Sequence, residues 1–333
     1  MTEPIIKVVN VTKRFGRRTI LSNINLDIRA GEIFGIIGMS GSGKTTLLNT
    51  MIGFLQPDAG DVLFKLQHLL SYKGDINQYR SVFSNPFDVK TQFGFSVQQP
   101  SIYPKLTAKE NLEYFGKLYH LPTSIRKTNV EILLHLMKIY DSRNIPAESL
   151  SGGMQKRLDI ACSLIHDPKV LILDEPTSNL DPLLRKEMWS FIKEINRKGT
   201  TIVLSSHFLD ELEDFCDRVS ILYDAKFITV GTPDEVKSYY SKEQEIRLKT
   251  SNRDYERLLQ ILNSKRTSLN ISHVFVDEDQ LVVYTTSAEK VLRTILVIIK
   301  ELKQSLDDVT VEDPSLHEVL EIINKEHKEH KKR

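Results

Sequence analysis

Cysteine is nearly absent from this chain. The two in 333 residues, Cys162 and Cys216, lack metal-ligand spacing and sit in apolar, helical-looking contexts. They read as reduced core residues of a cytosolic protein. Long apolar runs are missing too. The longest, such as Val170–Leu173 and Ile295–Ile299, fall well under the roughly 18 residues a spanning helix needs. The N-terminal stretch MTEPIIKVVNVTKRF is polar and alternating, unlike an export signal. A membrane role would therefore run from the cytoplasmic face, peripherally and through a partner. Charge of one sign is lacking as well. Lys and Arg number 45 against 44 Asp and Glu, a net charge of +1 that offers no basic field for nucleic acid, so no nucleic-acid partner is expected. The basic end, Lys325 to Arg333, contains Glu326 and Glu329 and reads as a solvated tail.

What is present suits a globular protein: 40% hydrophobic residues and a length that favours two domains. The most specific element is Gly38-Met39-Ser40-Gly41-Ser42-Gly43-Lys44-Thr45, directly after the apolar run Ile33–Ile37. G-x-x-x-x-G-K-T between a buried strand and a helix is a phosphate loop. Glycines let backbone N–H groups close on phosphate oxygens. Lys44 reaches the β- and γ-phosphates, the Thr45 hydroxyl ligates Mg²⁺, and the following helix points its positive end at the same anion.

Around that loop the chain reads as follows. Residues 5–11 and 24–30 alternate as strands of a small antiparallel sheet. Phe15 between them is either an adenine platform or a core residue. Gln56–Gly60 is a turn, and 61–92 holds two short strand-like pieces around a polar stretch. Phe93–Val97 is a strand leading into Gln98-Gln99-Pro100. Pro104 and Thr107 open a helix at Ala108-Lys109-Glu110 that continues through Leu112, Phe115, Leu118 and Tyr119; a second helix covers about 126–139. Leu150-Ser151-Gly152-Gly153-Met154-Gln155-Lys156-Arg157 then opens an apolar helix from Leu158 to Ile165. Taken alone, that stretch is no more than a flexible cap. Val170–Leu173 is a buried strand ending in Asp174 and Glu175. The first carboxylate is placed to face a phosphate-bound Mg²⁺, the second to polarise a water. Ser178-Asn179-Leu180-Asp181 follows, and the strand Thr201–Ser206 ends at His207.

In that order the elements resemble the ATP-binding cassette (ABC) ATPase family over about residues 5–240, and Leu-Ser-Gly-Gly is highly specific for it. The resemblance implies that two cassettes, expected as two copies of this chain, pair head to tail around two ATP molecules. Ser151, Gly152 and Gly153 of one would contact the γ-phosphate held by Gly38 to Thr46 of the other. That loop comprises Gly38, Met39, Ser40, Gly41, Ser42, Gly43, Lys44, Thr45 and Thr46. Glu175 would be the catalytic base, with Lys44 and His207 on the γ-phosphate. Gln98 would sense Mg²⁺ and the attacking water, Thr45 and Asp174 would serve the metal, Asp181 would lie at the dimer seam, and Phe15 would take the adenine-stacking position usually held by Tyr. Met154, where Gln is common, is similar to drug-resistance exporter cassettes. Residues 61–80 are about ten longer than the usual family spacing. The implied function is that of the ATPase subunit of a transporter with separate transmembrane subunits, which would meet segment 100–121. A soluble ABC ATPase of translation or DNA maintenance is the alternative. It is disfavoured because translation types usually carry two cassettes, and no heptad run appears here.

The last ninety residues carry a second pattern: a strand at Gln244–Lys249, a helix from Asp254 to Leu262, a hairpin of Ile271–Val276 and Gln280–Tyr284, a helix from Ala288 to Leu302, and a strand at Asp308–Val311. That βαββαβ order predicts a ferredoxin-like unit, with a closing helix from Ser315 to Lys325. Similar tails follow exporter-type cassettes. A dimer-stabilising accessory role is favoured over a ligand sensor. The expected fold is thus α/β: a P-loop NTPase cassette over 1–240, with a mixed sheet, an antiparallel β subdomain and a helical subdomain at about 101–165. An α+β accessory domain follows over 241–333.

Overall fold

The structure, a computed structural model, describes residues 3–65, 79–84, 91–178, 180–240 and 243–312, with 315, 316, 319, 320 and 323 beyond them. Most of the long 61–80 segment, the closing helix and the basic tail lie outside the described residues. The chain divides into two compact units, residues 1–232 and 233–333. The division falls one helix earlier than the expected boundary.

In the first unit, β1 (Pro4–Phe15) and β2 (Arg18–Arg29) form a hairpin. Both strands run further than their alternation suggested. Phe15 is therefore a strand-end residue paired with Arg18 across a turn at Gly16, not a loop residue between strands. β3 (Ile33–Ile37) leads into α1 (Lys44–Met51). β4 (Ala59–Lys65) and β5 (Tyr79–Ser81) complete an antiparallel sheet of order β2-β1-β4-β5.

β6 (Phe93–Ser96) is followed by the helical insert α2 (Ala108–Leu118), α3 (Thr123–Leu136) and α4 (Gly152–Leu164). A capping box opens α2: Thr107 Oγ1 accepts from the Glu110 N–H, and Glu110 Oε2 accepts from the Thr107 N–H at 2.8 Å. The second helix of the insert starts and ends earlier than expected, with Pro122 at its N-cap supplying a φ suited to that position. The third begins at Gly152, not Leu158. Ser151 Oγ accepts from the Met154 N–H and caps it, so the glycine pair lies inside the first turn.

Then come β7 (Val170–Asp174), α5 (Pro182–Arg197), β8 (Thr201–Ser206), α6 (Leu209–Phe215), β9 (Arg218–Tyr223) and β10 (Lys226–Gly231). The main sheet has order β10-β9-β3-β8-β7-β6, parallel except for β10. Every residue of β3, β7 and β8 is buried, as expected for a parallel sheet covered on both faces. One core joins this sheet to α1 and the antiparallel sheet through Phe34, Ile36, Leu47, Leu48, Ile6 and Phe64. Cys162 and Cys216 are free and buried, and burial pushes both thiols up.

The second unit runs α7 (Pro233–Tyr240), β11 (Gln244–Thr250), α8 (Glu256–Ser264), β12 (Ile271–Asp277), β13 (Gln280–Thr285), α9 (Ala288–Glu301) and β14 (Leu306–Glu312). Its sheet is antiparallel throughout, in the order β12-β13-β11-β14. Its own core packs Ile246, Leu248 and Val283 against Leu258, Leu262, Val291 and Ile295 of the two helices.

Candidate functional site

The turn after β3 is tight enough to require glycine. A Cβ on Gly38 would lie 2.4 Å from Ser42 Oγ and 2.8 Å from the Leu222 carbonyl oxygen. Gly43 caps α1 with φ 108°, and a Cβ there would sit 3.0 Å from the Ile20 carbonyl oxygen. The first turn of α1 holds no acidic residue, which leaves its positive end uncompensated. Lys44 is 5% exposed, and its Nζ donates to the carbonyls of Gly38 at 2.7 Å and Met39 at 3.3 Å. It also lies 3.7 Å from Glu175 Oε1.

Parallel pairing brings the C-terminal ends of β7 and β8 together, with Asp174 opposite Ser205. Asp174 is 2% exposed and accepts two hydroxyl hydrogen bonds, from Thr45 Oγ1 at 2.7 Å and Ser205 Oγ at 2.5 Å. Glu175 takes a left-handed backbone, φ 46°, a conformation that costs a non-glycine residue roughly 1–3 kcal/mol. Its N–H is held by the Ser205 Oγ and carbonyl, at 3.1 and 3.2 Å. Its Oε2 meets His207 Nδ1 at 2.9 Å. Ser205 thus anchors both carboxylate-bearing residues, a role that no spacing rule in the sequence marks.

These groups face a cleft of about 720 Å³, lined among others by Phe15, Ser40, Gly41, Gly43, Lys44, Thr45, Thr46, Gln98, Glu175 and His207. Phe15 is 52% exposed at the rim, with the Lys13 ammonium 5.6 Å from its ring centroid, so it is not a core residue. Arg18 and Ile20 also line the cleft. Sequence reading missed them, because only the hairpin register sets Arg18 beside Phe15. Met39 and Ser42 line an adjoining hollow of about 250 Å³.

Ser151, Gly152, Gly153 and Asp181 do not line this cleft. Gly152 opens onto free space, where an added Cβ would meet nothing within 4 Å. Asp181 is the N-cap of α5, its Oδ1 accepting from Leu183 and Leu184 N–H groups at 3.0 Å. No cluster of three or more His, Cys, Asp or Glu suited to a metal occurs among the described residues. The juxtaposed Thr45 hydroxyl and Asp174 carboxylate are hard oxygen donors, however, and fit Mg²⁺ held mainly by water and phosphate. No helix among the described residues is long and apolar enough to cross a membrane.

Fold and cleft together define a P-loop nucleotide-binding cassette. The ABC transporter family matches residues 21–178. The probable multidrug ABC transporter ATP-binding protein YbhF of Escherichia coli K12 is 33% identical over 243 residues, 73% of this chain; the chain spans only 40% of that relative's length. The daunorubicin resistance ATP-binding protein DrrA3 of Streptomyces coeruleorubidus is 30% identical over 96% of the chain and 95% of the relative. A solved ATP-binding cassette, a dimer in a post-hydrolysis state with ADP and Pi bound, superposes with a TM-score of 0.59 at 28% identity, covering 68% of this chain and 98% of that one. The chain belongs to the family of ABC transporter ATP-binding proteins.

Proposed function

We propose that this chain is the ATP-hydrolysing subunit of an exporter, paired with a second copy of itself beneath separate transmembrane subunits on the cytoplasmic face of the membrane. The observation that carries the reading is the cleft itself. It gathers Lys44, Thr45, Glu175 and His207, with Asp174 hydrogen-bonded to Thr45 behind them, yet Ser151 caps a helix and does not line it. A partner's Ser151, Gly152 and Gly153 would complete the half-site across its open mouth. The export direction rests on relatives named for multidrug transport and daunorubicin resistance.

In this reading Phe15 stacks on adenine, and Gly38 to Thr46 wrap the phosphates. Lys44 exchanges its bonds to the Gly38 and Met39 carbonyls for β- and γ-phosphate oxygens. Thr45, Asp174 and Gln98 would hold Mg²⁺, which when bound offsets phosphate charge. Glu175 accepts a proton from the water that attacks the γ-phosphorus, while the bond to the β-γ bridging oxygen breaks and ADP leaves. His207, hydrogen-bonded to the Glu175 carboxylate, orients that base and follows the γ-phosphate. Asp181 would lie at the seam between copies, and Tyr103 with the exposed start of the helical insert would face the membrane subunit. The second unit is read as a ferredoxin-like accessory domain that stabilises the pair.

Mixed dimers test the trans assembly. Ser151→Arg alone should abolish hydrolysis while leaving ATP binding by the monomer intact. Mixing it with Lys44→Ala subunits creates one site built from two intact halves, so activity should partly return. Wild-type turnover in Ser151→Arg alone would end the reading.

A further inference from the structure

Gln98 sits on a short arch, and α4 holds both of its feet. On the near side, Ser96 Oγ donates to Asp159 Oδ2 at 2.5 Å, and Lys156 Nζ donates to the Val97 carbonyl at 2.5 Å. On the far side, the Ser101 N–H donates to Asp159 Oδ1 at 2.7 Å. Between these anchors lie only Gln98, Gln99 and Pro100. Both charged residues are almost fully buried, 5% exposed for Lys156 and 4% for Asp159. At i and i+3 they lie on one face of the helix. Burying two ions is costly unless every bond is made. Here the three side-chain hydrogen bonds of Lys156 and Asp159 all run to the feet of the Gln98 arch. Burial pulls the Lys156 ammonium below its ordinary value, opposed by Asp159 and Asp174. It pushes the Asp159 carboxyl up, against the Ser96 hydroxyl, the Ser101 N–H and Lys156.

The same helix begins at the Ser151 cap. From Ser151 to Lys156 is five helical steps, about 7.5 Å of stiff rod. We infer that Lys156 and Asp159 are positioning residues that make the Gln98 arch move with the Ser151 cap. Seating the cap on a partner's nucleotide and setting Gln98 over the chain's own nucleotide then become one displacement. The inference rests on the assignment of Gln98 and Ser151 to the two halves of the nucleotide site.

The test is a double-mutant cycle in the full chain with Asp159→Asn and Gln98→Ala, and with Ser96→Ala as a milder substitution that removes one hydroxyl from the clamp. ATP hydrolysis, ATP affinity without divalent cation, and hydrogen exchange of the Ser101 amide are measured for each. Asp159→Asn should lower hydrolysis by up to about a hundredfold, the scale of misplacing a reacting group by about an ångström. It should also speed exchange at Ser101 and leave cation-free ATP affinity unchanged. Ser96→Ala should move the same readouts less. In the Gln98→Ala background neither change should lower hydrolysis further, because the group they position is gone. Independent, multiplying losses would overturn the clamp while leaving the assignment of Gln98 standing. Unchanged hydrolysis and Ser101 exchange in Ser96→Ala would overturn it even if Asp159→Asn did not fold. Wild-type turnover in Gln98→Ala alone would remove the assignment and the clamp together.

Discussion

The main sheet of the first unit and the sheet of the second use their polar residues in opposite ways. In the first unit, β3, β7 and β8 are buried along their whole length, so polar groups gather where the strands end. Asp174, Glu175 and His207 stand at that edge beside Lys44. In the second unit, β11 alternates, with Ile246 and Leu248 on the core face and Arg247 and Lys249 on the other. Those charges are neutralised in place: Lys249 meets Asp279 at 2.6 Å, and Arg247 meets Glu245 at 2.6 Å. The Lys249 hydrogen bond holds the Asp279 carboxyl below its ordinary value. A sheet covered on both faces concentrates reactive groups at one edge, where loops can aim them at a ligand. A sheet that alternates spreads its charges into local ion pairs. The first arrangement is poised for chemistry and the second for packing or recognition.

Substitutions can break or sharpen that contrast. The largest effect is expected at the strand edge. Glu175→Gln keeps the shape but removes the base, and should slow hydrolysis by at least about a hundredfold with ATP binding retained. Single-turnover hydrolysis in the purified variant measures this, and near-normal turnover would remove Glu175 from the catalytic role.

A second effect belongs to the core of the first unit. His166 stacks on Tyr119 with ring centroids 3.7 Å apart and places Nε2 3.1 Å from the Phe93 carbonyl oxygen. Burial lowers its pKa to about 4. An unfolded histidine, with a pKa near 6.5, takes up its proton first as the solution acidifies. The stabilisation is therefore complete above about pH 6.5 and is lost between there and about 4, to the extent of at most about 3 kcal/mol. Denaturant melts from pH 7 to pH 4.5 should lose less stability in His166→Gln than in the wild type. Parallel losses would show that the ring is not the titrating group.

Effects in the second unit should be smaller. Lys249→Ala removes one partly exposed ion pair and should shift the melting temperature by no more than a few degrees, with no change in hydrolysis. A drop in turnover would mean that the alternating sheet takes part in chemistry after all. Least of all should ATP affinity respond to loss of the second unit. Every cleft residue named above lies between Phe15 and His207, and a chain ended after Tyr240 should bind ATP within about threefold of the full protein. Loss of binding in a folded truncated protein would place part of the nucleotide site beyond residue 240.

Much of the site was legible in the sequence for one physical reason. A phosphate loop is made from consecutive residues, and its glycines are dictated by the turn they form, as at Gly38 and Gly43. The buried run Val170–Leu173 likewise announces a strand whose terminal carboxylates need a task. Element ends were less legible. Gly152 and Gly153 read as a flexible cap ahead of Leu158, since glycine weakens a helix interior, yet Ser151 caps the helix and both glycines lie in its first turn. Phe15 was ambiguous until the hairpin register showed its ring at the rim of the cleft.

By itself the sequence determined the local chemistry: which residues make the phosphate loop, where carboxylates follow a buried strand, and the βαββαβ order of the second unit. Only the tertiary structure decided which distant residues meet. Sheet order set Ser205 under both Asp174 and Glu175, bent Glu175 into a left-handed backbone, and laid Lys156 and Asp159 against the Gln98 arch. Periodicity of 2 or 3.6 residues states which face of an element is apolar. It does not say which other element will cover that face, and that choice is made by the packing of the whole core.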